Sequence, residues 1–378
     1  MEEKMNPEWS STIHDKKTSK EPTISEDDII ERSLYESVFP GIVCRVWRDG
    51  RLLYERVAGY REFETRDKMT LDTIFDLASL TKPLVTAVLV MKAIDEHAIS
   101  LEQQLCNFFP EASDALKQRT IRSLLIHTAG LGQPELNRYF PDASKIDRKK
   151  AREIVLSMQP VVSPGSEVLY SCTGYILLGF LLEQVSGASL GQLFKEYMAS
   201  PLGLTHATFV PSEDLRLQTA ATEFCSWRKC RIRGEVHDES AYCLGGEAGN
   251  AGLFGTIDDV AKIASIFLNG GYFEEKKILS EESVFLMTHC QTEGMNRRRA
   301  VGFAMHDSET LDGEAWPDDS FGHTGFTGTS LFIDPSRQLQ AITLTNRVYF
   351  GRAETADKMS AFRKAFHTQI MEDFGHRA

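Results

Sequence analysis

The stretch 74–91 constrains the fold of this chain more than any other, because it reads as the start of a buried helix. Apolar residues recur at helical spacing from Leu80 to Met91, and no glycine interrupts them. Pro83 fits only within the first helical turn, where backbone N–H groups have no intrahelical partner. We therefore predict that the helix begins at about Ser79 and ends near Glu96.

Ser79 and Lys82 lie three residues apart, so their side chains can share one face of this helix. A serine hydroxyl is a poor nucleophile until a neighbouring base takes its proton, and a desolvated lysine can act as that base. The same spacing also fits a serine N-cap followed by a solvated lysine. Motifs elsewhere in the chain are needed to distinguish these two interpretations.

The composition is that of a soluble globular protein with no nucleic-acid partner. The chain has 378 residues, and its formal net charge of -12 comes without any block of basic residues. Residues 1–24 form a polar tail that lacks the apolar core of a secretory signal, and no later segment is long enough to span a bilayer. These features predict a flexible tail, a cytoplasmic location and no membrane partner.

The seven cysteines are scattered and odd in number, which favours free thiols. Cys225, Cys230, His237 and Cys243 could be written as a four-ligand zinc set. The first pair is separated by four residues and no second tight pair follows, so we predict no metal site.

The pattern of elements predicts an α/β (α+β) fold, in which an antiparallel sheet is flanked by N- and C-terminal helices. Strand-like runs at both ends of the chain enclose a middle part that reads as helices and loops. We assign 25–98 and 245–378 to a discontinuous sheet domain and 99–244 to an inserted, mainly helical domain. Strands are predicted over 41–47, 52–58, 301–305, 329–333 and 339–345; further helices are predicted over 25–37, 120–130 (closed by Gly130), 170–185, 190–198 (ended by Pro201), 256–268 and 355–371 (capped by Thr355).

Three short motifs follow one another in a recognisable order: Ser-Leu-Thr-Lys at 79–82, Tyr-Ser-Cys at 170–172 and His-Thr-Gly at 323–325. With the flanking stretches 121–131, 175–179, 201–204 and 322–328, the chain resembles the class C β-lactamase-like serine hydrolases over about 29–366. This group includes family VIII carboxylesterases and D-alanyl-D-alanine carboxypeptidases. The resemblance implies a β-lactamase/transpeptidase-like fold and a reaction that needs neither metal nor cofactor.

The resemblance also implies roles for individual residues. Ser79 would be the nucleophile, and Lys82 and Tyr170 would share the proton transfers, with the proton's position between them left open. The backbone N–H groups of Ser79 and Phe326 would stabilise the oxyanion.

Two positions in these motifs bear on the substrate. His323 stands where a related motif has lysine, and with Gly325 it is expected at the pocket, where it would orient Tyr170 or the substrate. Cys172 replaces an asparagine that would contact a substrate amide, which weakens the β-lactamase and peptidase interpretations. The stretch 236–241 resembles a Val-His-Asp-x-x-Ala segment of this group, and its role is open.

We therefore expect a serine hydrolase that cleaves small carboxylic esters through an acyl-Ser79 intermediate. The expected partner is a small-molecule ester or amide. One alternative is a D-alanyl-D-alanine carboxypeptidase or weak β-lactamase. Another is a non-catalytic binding protein built on the same scaffold.

Overall fold

A seven-stranded antiparallel sheet runs through the centre of the structure, a computed structural model that describes residues 25–307, 313 and 315–375. The predicted tail 1–24 lies outside the described residues. The order across the sheet is β4-β5-β6-β7-β1-β2-β3 for these strands: β1 Gly41–Arg48, β2 Arg51–Glu62, β3 Asp67–Lys68, β4 Ala304–Met305, β5 Phe321–Thr324, β6 Ser330–Asp334 and β7 Leu339–Thr345.

The two ends of the chain meet in the middle of this sheet. Strand β1 pairs with β2 on one side and with β7 on the other, with Ile42 opposite Thr345. Successive side chains of β1 point to opposite faces, and both faces are buried. Ile42 and Cys44 pack with one apolar cluster, whereas Val43 belongs to the other. The sheet is therefore the middle layer between two helical layers.

Helices cover both faces of the sheet. The terminal helices α1 and α7 pack on one face, and α5 belongs to the larger cluster on the other. The helices of eight or more residues are α1 Glu26–Tyr35, α2 Val88–Asp95, α3 Arg148–Ser157, α4 Cys172–Ser186, α5 Ile257–Leu268, α6 Glu281–Thr288 and α7 Ala356–Phe374.

Short elements complete the described chain. The remaining α-helices are Asp114–Lys117, Ile121–Leu125, Leu190–Phe194, Ser200–Leu202, Glu213–Arg216 and Glu239–Cys243. Three two-residue strand pairs join Phe75–Asp76 to Phe254–Gly255, Phe224–Cys225 to Cys230–Arg231 and Tyr272–Phe273 to Lys276–Lys277. The predicted fold class, an antiparallel sheet flanked by terminal helices, is confirmed.

Several predicted element ends were wrong for local reasons. The helix predicted over 120–130 ends at Leu125, because His127 adopts the left-handed conformation at φ 60° before Gly130 is reached. Pro201 does not stop its helix but lies in the first turn of Ser200–Leu202, where a proline is tolerated. Thr355 makes no side-chain cap to α7, since its hydroxyl donates to the Gly351 carbonyl.

Within the described part of the chain, no single helix is long and apolar enough to cross a membrane. The pair Cys172–Ser186 and Leu190–Leu202 passes on length and composition only when the two helices are joined, and they are bent by 79°.

Candidate active site

Ser79 lies on an irregular helical turn, and not at the start of a regular α-helix as predicted. A 3-10 turn over Ala78–Leu80 is followed by a π-helical turn over Lys82–Ala87, and only then by α2. Ser79 makes no side-chain cap, and Pro83 occupies the first turn of the π-helical segment. Single π-helical turns of this kind are frequently found at functional sites.

A buried carboxylate holds the turn before Ser79. Asp76 accepts a hydrogen bond of 2.9 Å from the backbone N–H of Ala78 and one of 2.6 Å from that of His237. Ala78 has a φ of 48°, a conformation that costs free energy for any residue with a Cβ. Burial raises the pKa of Asp76, and the two hydrogen bonds oppose this rise. Asp76 therefore stabilises the strained approach to Ser79.

The Lys82 side chain is fully buried and directed at Ser79. Its Nζ donates to the Ser79 Oγ at 3.0 Å and to the backbone carbonyl of Asn250 at 2.9 Å. Burial disfavours the ammonium form. The charges that Cys172 and Tyr170 carry when ionised, hydrogen bonding to Tyr170 and the charge of Asp238 act against burial, and together they hold the pKa of Lys82 above its ordinary value. Lys82 therefore rests as an ammonium in contact with the serine hydroxyl.

Tyr170 completes a group of three predicted residues that the structure brings together. It directly precedes Ser171, the N-cap of α4. The Lys82 Nζ lies 4.9 Å from the centre of the Tyr170 ring. Burial raises the pKa of Tyr170, while the charge of Lys82 and hydrogen bonding to Lys82 and Ser79 counteract this rise only in part. Tyr170 therefore rests as a neutral phenol.

Two neutral histidines flank the Tyr170 ring, with ring centres at 4.8 Å for His127 and 5.8 Å for His323. The His127 Nδ1 accepts from the Ser171 N–H at 3.0 Å, so its proton sits on Nε2. The His323 Nδ1 donates to the Thr324 carbonyl at 2.8 Å, so its Nε2 carries a lone pair. Burial, and then the charges of nearby Arg299 and Lys82, hold both histidine pKa values well below the ordinary range.

His127 received no role from the sequence, although it lies within the stretch 121–131 that carries the resemblance. Its position next to Tyr170 depends on the backbone reversal at φ 60°. His323 lies on β5, the strand next to the edge strand β4, and its ring is beside Tyr170.

Phe326 lies in the turn between β5 and β6 and presents a backbone N–H with no acceptor among the described residues. Phe326 is 47% exposed, and its ring stacks on His237 at 5.5 Å and lies under the Arg347 guanidinium. The preceding residue must be glycine, because a Cβ on Gly325 would collide with Thr329 and the Leu77 carbonyl. The Phe326 turn therefore packs directly against the chain leading to Ser79.

The stretch 236–241 supports both Ser79 and Lys82. Through its backbone N–H, His237 binds the Asp76 carboxylate described above. Asp238 caps the helix Glu239–Cys243 and accepts a hydrogen bond of 3.2 Å from the Asn250 side chain. Because the Asn250 carbonyl in turn accepts from Lys82, this stretch positions the lysine as well.

Cys172 lies close enough to Lys82 and Asp238 for their charges to act on its thiol. Burial raises the pKa of the Cys172 thiol, although the Lys82 ammonium acts against it. The sulfur is therefore a neutral thiol at physiological pH and not a second nucleophile.

A cleft of about 480 Å³ opens in front of Ser79. Its lining includes Tyr170, His323, Gly325 and Phe326, whereas Lys82 is buried behind the serine. The volume suits a small organic ligand. In the described part of the chain, no group of three or more His, Cys, Asp or Glu side chains is placed to hold a metal ion.

Comparison with known proteins places this chain in a family. The sequence model described as Beta-lactamase matches residues 27–365. The chain is 29% identical over 360 residues to the Escherichia coli (strain K12) protein named "Putative D-alanyl-D-alanine carboxypeptidase", with 86% of this chain and 82% of that protein covered. It is also 29% identical over 356 residues to the Bacillus subtilis (strain 168) N-acetylmuramyl-L-alanine amidase, with coverages of 85% and 80%.

The solved structure of EstCE1, described as a hydrolase with promiscuous acyltransferase activity, has the same fold. Its TM-score is 0.70 at 24% identity, with 90% of this chain and 97% of that chain covered. The family resemblance predicted from the motifs is thus confirmed, and the family and its members indicate a serine hydrolase related to carboxypeptidases. The chain belongs to the β-lactamase family.

Proposed function

We propose that this protein hydrolyses small carboxylic esters through an acyl-Ser79 intermediate. One observation carries the proposal: the buried Lys82 Nζ lies 3.0 Å from the Ser79 Oγ, next to the phenol of Tyr170. This arrangement supplies a nucleophile and a group that can take its proton. It makes the solvated-lysine interpretation of the Ser-x-x-Lys spacing untenable, because Lys82 has no exposed surface.

The reaction begins when the pair formed by Lys82 and Tyr170 has lost one proton. The pair takes the hydroxyl proton of Ser79 while Oγ forms a bond to the ester carbonyl carbon. The backbone N–H groups of Ser79 and Phe326 donate to the resulting oxyanion, a contribution typically worth about 3–4 kcal/mol per donor. The C–O bond to the alcohol then breaks, and the departing oxygen takes the proton from the pair.

Hydrolysis of the acyl-enzyme repeats these steps with water. The pair takes a proton from water as its oxygen attacks the acyl carbon, and the Ser79 oxygen leaves with that proton. The carboxylic acid is released and the enzyme returns to its first state. The flanking histidines stay neutral, so they hold Tyr170 in place without competing for its proton.

An amide substrate is the second candidate. The two named relatives are a carboxypeptidase and an amidase, and both names refer to amide bonds. Against this stands Cys172, since a neutral thiol is a weak hydrogen-bond partner for a substrate amide. We therefore rank the ester first.

The test compares 4-nitrophenyl acetate, 4-nitrophenyl butyrate and nitrocefin with wild type and Ser79→Ala. We expect ester turnover that is lost in Ser79→Ala and retained in Ser212→Ala, which alters an exposed serine that makes no side-chain cap. Turnover should persist in EDTA. Nitrocefin turnover exceeding ester turnover would favour the β-lactamase alternative. Failure of Ser79 to react with any ester or with a labelled penicillin would favour a non-catalytic binding protein.

A further inference from the structure

Arg299 is a cation in the cleft that the reaction described above does not use. Its backbone is fixed, because its N–H donates to the Thr292 hydroxyl at 2.8 Å and its carbonyl accepts from the Gln291 N–H at 2.7 Å. The half-buried guanidinium lies 5.6 Å from the centre of the Tyr170 ring. It lines the same cleft as Ser79.

No carboxylate or other hydrogen-bond acceptor engages the Arg299 side chain within the described ranges 25–307, 313 and 315–375. The two arginines that precede it in the sequence, Arg297 and Arg298, do have partners. Arg298 donates to the carbonyls of His306 and Asp318 and pairs with Glu293, and Arg297 lies 3.6 Å from the Asp307 carboxylate. Of these three consecutive arginines, Arg299 is the one whose donors face the cleft without an acceptor.

The cleft as a whole carries an excess of positive charge. Arg347 and Arg363 also line it, and their hydrogen bonds go to backbone carbonyls and to the Thr355 hydroxyl, which do not neutralise a guanidinium. The only acidic residue among the described lining residues is Asp307. Since the whole chain has a net charge of -12, this concentration of cations sets the cleft apart from the rest of the protein.

We propose that Arg299 binds an anionic group of the substrate, so that the preferred esters carry a carboxylate in addition to the ester bond. The proposal rests on the proposed ester hydrolysis. A guanidinium offers a planar set of donors that matches a carboxylate, and a partly desolvated guanidinium whose donors have no acceptor among the described residues gains most from such a contact. Because Arg299 lies beside Tyr170 and close to Ser79, the carboxylate could belong to the acyl part or to the alcohol part of the ester.

Two matched pairs of esters test the proposal and distinguish these two positions. Mono-4-nitrophenyl adipate is compared with 4-nitrophenyl hexanoate, which differs in the acyl part, and 3-carboxyphenyl butyrate with phenyl butyrate, which differs in the alcohol. We expect wild type to prefer the anionic member of at least one pair by about tenfold or more in kcat/KM. Both esters of a pair depend on Tyr170 and Ser79. The ratio of their kcat/KM values is therefore unchanged when a mutation affects these two residues in a general way.

The Arg299→Gln variant should lower that ratio by about tenfold or more, and Arg299→Lys should restore part of it. Arg298→Gln is the matched control, since it removes a neighbouring charge that is already paired, and it should change the ratio by less than about threefold. A ratio that is equal in wild type and Arg299→Gln, with esters still hydrolysed, would overturn the inference and leave the proposed function intact.

A binding measurement separates failure of the inference from failure of the proposed function. Calorimetric titration with monomethyl adipate, which contains both an ester and a carboxylate, requires no turnover when performed with Ser79→Ala. If monomethyl adipate binds to Ser79→Ala but not to the double variant Ser79→Ala/Arg299→Gln, the anionic site is supported, even if wild type hydrolyses none of the esters. Equal affinity with and without Arg299, or no binding at all, overturns it.

Discussion

The carboxylate of Asp76 accepts a 2.6 Å hydrogen bond from the backbone N–H of His237, a residue 161 positions further along the chain. Its other oxygen binds the N–H of Ala78, directly before Ser79. One buried side chain therefore joins the turn that carries the nucleophile to a loop of the middle part of the chain. This contact and the one between Asp238 and Asn250 connect the 236–241 stretch to the turn that carries Ser79 and to the residue whose carbonyl Lys82 binds.

Replacing Asp76 by asparagine should disturb both stability and catalysis. The amide nitrogen cannot accept, so one of the N–H groups of Ala78 and His237 loses its partner in the interior. We expect the free energy of unfolding to fall by about 1–3 kcal/mol, measured by urea denaturation. We also expect kcat for 4-nitrophenyl butyrate to fall by about tenfold or more, because the left-handed Ala78 is no longer held.

Asp67→Asn provides the comparison for this variant. Asp67 pairs with Arg61 and Arg233 near the surface, where such pairs contribute less than about 1 kcal/mol. Its loss should leave kcat unchanged. Wild-type stability and kcat in Asp76→Asn would contradict the positioning role.

The rate should depend on pH through the pair Lys82 and Tyr170. Both pKa values lie above their ordinary values, so both groups are protonated at neutral pH and one proton must leave before Ser79 can be activated. We expect log(kcat/KM) to rise between about pH 6 and about pH 9 with a slope approaching about +1. His127 and His323 are neutral over this range and should add no inflection. A plateau across neutral pH in the measured profile would be inconsistent with this protonation state.

Asp238→Asn should move that pH profile towards lower pH. After Cys172 and Tyr170, the Asp238 carboxylate is one of the charges that raise the pKa of Lys82 against the effect of burial. Removing it makes the ammonium easier to deprotonate, and asparagine can still cap the helix that Asp238 begins. The neighbouring Glu239→Gln change affects a carboxylate bound to Arg352 and should leave the profile in place. A profile that shifts equally in both variants would indicate a general charge effect.

Cys172→Asn should make the protein react faster with amides. The asparagine side chain supplies the donor and acceptor that the neutral thiol lacks. We expect acylation of Ser79 by a labelled penicillin to accelerate by about tenfold or more, while hydrolysis of 4-nitrophenyl butyrate changes by less than about threefold. Cys106→Asn, at an exposed thiol, is the control. Unchanged acylation would show that another feature restricts amide substrates.

Elements whose signals are local could be predicted from the sequence. The helix α5 begins after Thr256 with a complete capping box, and β1 and β2 form the hairpin that their pattern and turn indicated. The π-helical turn over Lys82–Ala87 could not be predicted, because its apolar spacing is that of an ordinary helix. The left-handed His127 was missed too, since nothing in its neighbours requires it.

For the site, the sequence by itself determined which groups are available: a serine and a lysine three residues apart, a tyrosine, and a His-Thr-Gly turn, in an order that indicates the family. Only the tertiary structure decided their state. Folding buries Lys82 away from water, places neutral histidines beside Tyr170 and leaves Arg299 facing the cleft. The physical reason is that pKa values and hydrogen-bond partners depend on groups brought together from distant parts of the chain, whereas sequence patterns report on neighbours within a few residues.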